Sequence, residues 1–286
     1  MHSAKQLGAA KARRKANPLK GLKEDLFDRQ VPAGRIALWW LGQIGFIFKS
    51  PSGKTIVIDP YLTNSCKEVI GDQEGYNMDR MVPPPMAPAD LVGVDLYVVT
   101  HGHMDHLDPW TLSGYQAAGG SGPYLAPCES VSKLEKLGVS ARQIEPTWPN
   151  KVFKLGDFNL RTTFAIPYAG DDLGHVGYLV SVDGGPTVYL TGDTGYHKVI
   201  ADSVREHKPD VLLTAINGTF NNMGPAEAAL LGKQLDAKII VPCHYDIFPC
   251  NAVPPRLLQT NMQILGIGNR YRELRHGECF IYPTEP

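Results

Sequence analysis

Apolar residues in the first third of the chain fall in short continuous or alternating runs at Arg35–Trp40, Ile44–Phe48 and Thr55–Asp59, a spacing that predicts strands. The intervening LGQ and SPSGK read as hairpin turns. Residues 64–92 lose all periodicity, and VPPPMAP at 82–88 cannot join a sheet interior, so this stretch reads as a functional loop or cover. Beyond it, strands are predicted at Asp95–Thr100, Pro123–Pro127, Lys151–Leu155, Asn159–Ile166, Val176–Val182, Thr187–Thr191, Asp210–Ala215, Lys238–Pro242 and Glu278–Tyr282. DGGP joins two of these as a hairpin, and helices are expected at Glu129–Leu137 and Pro225–Leu235, the second with proline in its first turn. Strand-rich sequence followed by alternating strands and helices suggests two sheets packed face to face with helices outside. Trp39 and Trp40, adjacent on one strand, should pack into different layers.

With 43% hydrophobic and 20% charged residues among 286, the chain has the composition of a soluble globule with a large core. No composition break divides it, which leaves a basic tail or edge helix at residues 1–30 and one domain at 31–286. A net charge of −1 supplies no general field for nucleic acid or an anionic membrane, so neither is expected as a partner. The first 23 residues carry seven Lys or Arg and no acid, without the apolar core of a secretory signal. No apolar run reaches the roughly 20 residues of a membrane span. The scattered cysteines 66, 128, 243, 250 and 279 form no C-x-x-C pair, which fits reduced thiols and a cytoplasmic setting. The basic arm and the proline-rich loop are the candidate contact elements of a homo-oligomer.

The chemistry concentrates in YVVTHGHMDHLDP, where a strand delivers His101-x-His103-x-Asp105-His106. Residues two apart on an extended backbone project to one side, so His101 and His103 can grip one ion. Asp105 and His106 follow where a turn can aim them at a second ion. Imidazole and carboxylate together suit Zn, Mn or Fe, whereas a closed structural zinc site would more often use cysteines. Two further segments repeat the pattern. VYLTGDTGYH places Asp193 after a strand, and KIIVPCHYDIF places His244 after another. Each residue alone is a turn or capped-core residue. Together with the first motif they complete a set for two metals, with Asp193 as the bridging carboxylate.

HxHxDH after a strand, an aspartate in GDTG and a strand-end histidine resemble the metallo-β-lactamase superfamily of metal-dependent hydrolases. ALWWLGQIGFIFKS, GYLVSVDGGPTVYLTGD and AKIIVPCHYDIF most resemble its L-ascorbate-6-phosphate lactonase family. The resemblance implies a four-layer αββα sandwich with the metals at one edge of its two sheets. It assigns His101 and His103 to one ion, Asp105, His106 and His244 to the other, and Asp193 between them. It also implies a further histidine some residues before Val176; here YAGDDLGHVGYLV offers His175, Asp171 or Asp172 for that place, or else a weak first site, so that the centre takes one or two divalent ions.

The implied reaction is attack by a metal-bound hydroxide on a lactone or ester carbonyl of a small-molecule substrate, foremost a sugar lactone and conceivably a phosphorylated one. Asp105 would orient the hydroxide or take its proton, and Tyr196 or Tyr245, which flank the ligands, could donate to the oxyanion. Asp59 is either an acceptor for a ligand histidine or an Asp-Pro turn residue. Asn217 could touch metal or substrate, although Asn-Gly is first a turn. Arg80, Arg161 and Lys198 are the candidates for a phosphate group. Cys243 reads as a small buried residue. The competing functions are a metal-dependent phosphodiesterase acting on a small organic diester and a non-catalytic metal-binding relative.

Overall fold

The computed structural model describes residues 21–71, 76–167 and 174–284. Among the described residues, thirteen strands build two mixed sheets, one of seven strands and one of six. The first contains β1 (Ile36–Gly42), β2 (Gly45–Lys49), β3 (Thr55–Ile58), β4 (Leu96–Val98), β5 (Tyr124–Pro127), β6 (Ile144–Thr147) and β13 (Cys279–Tyr282). Its order is β13-β1-β2-β3-β4-β5-β6, antiparallel from β13 to β3 and parallel from β3 to β6. The second contains β7 (Val152–Leu155), β8 (Phe158–Phe164), β9 (Val176–Val182), β10 (Thr187–Leu190), β11 (Val211–Ala215) and β12 (Ile239–Cys243). Its order is β12-β11-β10-β9-β8-β7, parallel among β10, β11 and β12 and antiparallel elsewhere.

Helices cover both outer faces. On the first sheet, α1 (Leu22–Asp28), α2 (Pro109–Ala117) and α3 (Cys128–Lys136) set Leu26, Leu112, Tyr115 and Leu134 against Trp39, Ile47, Val57 and Tyr97. On the second, α4 (Lys198–Arg205), α5 (Pro225–Gln234) and α6 (Arg256–Ile264) bury Ile200, Val204, Leu231 and Met262. The inner faces meet in a separate layer containing Trp40, Phe46, Phe48, Tyr178 and Val180. This is the αββα sandwich expected from the sequence. Every residue of β1 is buried because both of its faces are covered, and Trp39 and Trp40 do enter different layers.

The predicted strands all appear with boundaries moved by a residue or two. Sequence periodicity misses β6, whose IEPT is interrupted by Pro146, and it misses α2, α4 and α6. Helix α2 contains Gly114 and has little sequence amphipathicity; its start is fixed by Asp108, which accepts from Trp110 N at 3.0 Å. Among its described residues, the proline-rich loop contributes only single turns, Cys66–Ile70 and Pro88–Leu91. Of the basic tail, residues 1–20 lie outside the described residues. No helix among the described residues is long and apolar enough to cross a membrane.

Gly45 opens β2 where its backbone crosses the carbonyl of Asp59, and a Cβ there would lie 2.6 Å from that oxygen. Backbone oxygen cannot rotate away as a side chain can. Gly45→Ala is therefore expected to cost about 1–3 kcal/mol, seen as a lower urea midpoint at unchanged slope. An unaltered midpoint would contradict this close approach.

Candidate metal centre

Strand direction brings the chemistry to one edge. Asp59 leaves the carboxyl end of β3, and Thr100 and His101 leave that of its parallel neighbour β4. Asp193, Asn217 and His244 leave the carboxyl ends of the parallel strands β10, β11 and β12. His175 precedes β9, whose antiparallel course starts beside the end of β10. The sheets are tied at this edge by Val176 N donating to Thr100 O at 3.1 Å and Tyr178 Oη donating to Val99 O at 2.9 Å. Ligands in open α/β sheets commonly sit beyond such carboxyl ends.

The HGHMDH segment folds into a tight turn, with His106 N and Leu107 N both donating to His103 O at 3.1 and 2.8 Å. Asp108 locks its exit by accepting from Thr63 Oγ1 at 2.8 Å and Thr111 Oγ1 at 2.6 Å. Two groups of donor atoms result. His101, His103 and His175 form one, each offering a ring nitrogen within 4.8 Å of the others. His101 Nδ1 faces the Thr100 hydroxyl at 3.0 Å, which leaves Nε2 turned inward to His103 Nδ1 at 2.9 Å. His175 Nδ1 lies 3.4 Å from Asp193 O.

The second group is His106 Nε2, His244 Nε2, Asp105 Oδ2 and Asp193 Oδ2. The two nitrogens are 3.3 Å apart, and their four separations from the carboxylate oxygens run from 3.4 to 3.6 Å. These are five of the six edges of a tetrahedron, and ligands bonded to one tetrahedral ion at about 2.0–2.2 Å, the span of Zn–N and Zn–O bonds, lie about 3.3–3.6 Å apart. Asp193 Oδ2 also accepts from Asn222 Nδ2 at 2.8 Å, while its Oδ1 is buried without a hydrogen-bond partner. A carboxylate oxygen sealed from water in that way fits a cation. The residues present therefore suit a divalent metal.

Electrostatics agree. Burial, with His106 and His175 nearby, holds the His101 imidazole well below its ordinary value, and burial lowers His103 too, so both are neutral as ligation requires. Burial works upward on the Asp105 and Asp193 carboxyls, yet His106 and His244 keep both below the usual range. Burial works downward on His106 and His244, and the same carboxylates reverse it. Positive charge is thus drawn to the tetrahedron, and a divalent cation inside it would displace those protons.

Of the alternatives for Asp59, the structure selects the acceptor. The side chain is fully buried and lies 2.8 Å from His106 Nδ1, which turns Nε2 into the tetrahedron. Thr100 N at 2.7 Å and the Thr100 hydroxyl are its other donors, and burial pushes its carboxyl up against all three. His175 joins the three-histidine group, while Asp171 and Asp172 lie outside the described residues.

Two expectations need correction. Tyr196 is not turned to the cluster, because its hydroxyl donates to Gln234 Oε1 at 3.1 Å on α5. Tyr245 packs its ring against Trp40 in the core, and beyond burial the charges that bear on its phenol are Asp246 and Glu273. The candidate phosphate residues also do not converge. Arg80 is bound to the carbonyls of Tyr61, Thr63 and Val82, Arg161 to that of Asn150, and Lys198 to Asp202. Asn217 is buried and donates to Thr219 Oγ1 at 2.9 Å, and Cys243 is a buried core residue. Sequence reading missed Thr100, Asn222 and Gln43, which offer no periodic or motif signal.

Asp59→Asn keeps the shape but replaces one acceptor oxygen by an N–H, so the orientation of His106 is lost. A fall of about 10–100-fold in metal affinity is expected, measured by chelator competition. Unchanged affinity would remove Asp59 from the centre.

The Beta-lactamase superfamily domain matches residues 37–244. A metal-dependent hydrolase from Myxococcus xanthus is 30% identical over 227 residues, covering 76% of this chain and 72% of that one. The Escherichia coli protein named "Probable L-ascorbate-6-phosphate lactonase UlaG" is 27% identical over 265 residues, with 79% and 74% covered. In fold, the chain resembles Igni18, a metallo hydrolase from the archaeon Ignicoccus hospitalis, at a TM-score of 0.69 and 23% identity over 88% of this chain and 100% of that one. The matched domain runs from β1 to the last histidine of the tetrahedron, and the chain belongs to the beta-lactamase superfamily of metal-dependent hydrolases.

Proposed function

We propose that the protein hydrolyses a lactone or ester, foremost a sugar lactone, at a centre of two divalent ions. The observation that carries this reading is the set His106, His244, Asp105 and Asp193, whose two ring nitrogens lie 3.3 Å apart and 3.4–3.6 Å from the carboxylate oxygens, beside the three-histidine group. The tetrahedron favours zinc in the second position, since manganese prefers an octahedral shell of oxygens. The lactone itself is supported by the likeness to the protein named as an L-ascorbate-6-phosphate lactonase.

Metal bound here would acidify a water and polarise the carbonyl oxygen. His101, His103 and His175 would hold the first ion, and Asp193 would reach between the two groups. Asp105, the most accessible member of the set at 19% against 11% for Asp193, would take a proton from the attacking water. Neither Tyr196 nor Tyr245 is available to the oxyanion. No serine or cysteine nucleophile is required.

Elemental analysis should find up to two equivalents of zinc or manganese. Asp193→Ala should lose metal and more than about 100-fold in activity, beyond the usual effect of an outer residue. Tyr196→Phe, which affects only the bond to Gln234, should stay within about 3-fold of the parent. A panel of lactones, with bis-p-nitrophenyl phosphate alongside, tests the substrate class. Strong diester turnover without lactone turnover would replace this reading with a phosphodiesterase.

A further inference from the structure

Gln43 was read from the sequence as one letter of a turn, LGQ, and the turn is indeed there. Yet its side chain is fully buried at the metal centre rather than in solvent. Its backbone has φ 47°, a left-handed conformation unusual for a residue with a Cβ, and it follows the register shift between Trp40 and Gly42. That conformation is fixed from two sides. The Gln43 carbonyl accepts from Trp40 Nε1 at 3.0 Å and from His244 N at 2.9 Å. The turn is therefore bound directly to the strand end that carries a metal-site histidine.

From this anchor the amide reaches the tetrahedron. Gln43 Nε2 donates to Asp105 Oδ2 at 2.7 Å and lies 3.4 Å from His244 Nε2. The opposite amide orientation would set a carbonyl oxygen against a carboxylate, so Asp105 decides which end faces it. Gln43 Oε1 is then left buried with no hydrogen-bond partner. Turn formation requires none of this, because the backbone bonds alone would hold the turn with an apolar side chain in place. A buried amide with half of its capacity unused is costly unless the other half serves the site.

We propose that Gln43 is a positioning residue for the second ion, its Nε2–H holding Asp105 in the orientation that places Oδ2 at the tetrahedron. Asp105 needs such a support more than its partners do. His106 is oriented by Asp59 and Asp193 by Asn222, whereas Asp105 sits on a tight turn with a partly accessible side chain. The hydrogen bond fixes the rotamer that keeps Oδ2 toward the ion, and the second lone pair of that oxygen is left for the metal. The inference rests on the two-ion reading given above.

The test uses the full chain, stripped of metal and titrated with zinc against a chromophoric chelator, comparing the parent with Gln43→Met and Gln43→Glu. Met keeps the length without a donor, and Glu keeps the shape but faces Asp105 with an acceptor. Both should weaken the second equivalent by about 10–100-fold and leave the first within about 3-fold. With cobalt as the probe, the intense visible bands of a tetrahedral site should weaken in both variants. The melting temperature of the metal-free protein should move little, since the backbone bonds of the turn persist.

Unchanged affinity for the second equivalent would overturn the proposal. So would a parallel loss of both equivalents with a lowered metal-free melting temperature, which marks a structural role. A parent that takes up two zinc ions but opens no lactone sinks the substrate reading alone. A parent without a second equivalent sinks both.

Discussion

Three carboxylates, Asp59, Asp105 and Asp193, meet at an edge where two sheets exclude most of the water, and their charge has to be compensated there. Much of the surrounding structure serves that need. Asp59 is met by Thr100 and His106, Asp193 by Asn222, and Asp105 by Gln43. What these donors leave over is drawn to His106 and His244, whose imidazoles are raised by Asp105 and Asp193. The arrangement is a cation site because apolar packing around it removes the alternative of solvation.

Holding the donors in place takes backbone that few residues tolerate. Gln43, Asp59 and His244 all have left-handed φ, at 47°, 46° and 57°, although none is glycine. Such conformations persist only when the surroundings over-determine them. Here Gln43 and His244 are pinned to each other, since His244 N donates to the Gln43 carbonyl, and Asp59 is pinned to β4, its N donating to the carbonyl of Val98 at 3.1 Å. Each strand thus ends in an abrupt turn that points one side chain back over the sheet edge. The cross-sheet bond from Val176 to Thr100 then keeps the two halves of the centre in register.

The division of labour between the two donor groups follows from their composition. Three imidazoles can bind an ion and still leave a coordination position, as catalytic zinc sites do, whereas two histidines and two carboxylates can close a tetrahedron. Asp193 touches both groups, through its carboxylate in one and its backbone carbonyl near His175 in the other. Both tyrosines that neighbour the ligands in sequence turn elsewhere, Tyr196 to α5 and Tyr245 into the core, so adjacency along the chain did not translate into adjacency at the site.

Much of the fold and most of the centre were legible because they are written in local pattern. Buried strands are apolar runs, and HxHxDH, Asp193 and His244 stand out as polar residues at strand ends. Helix α2 and strand β6 were not legible, since one depends on the Asp108 cap and the other on partners across the sheet rather than on periodicity. By itself the sequence determined the layered architecture, the ligand types and the class of chemistry. Only the tertiary structure decided that His175 joins His101 and His103, that Asp59 serves His106, and that Gln43 stands at Asp105. These choices depend on distances between segments up to about two hundred positions apart, as with Gln43 and His244, and the order of strands across a sheet sets them where side-chain identity does not.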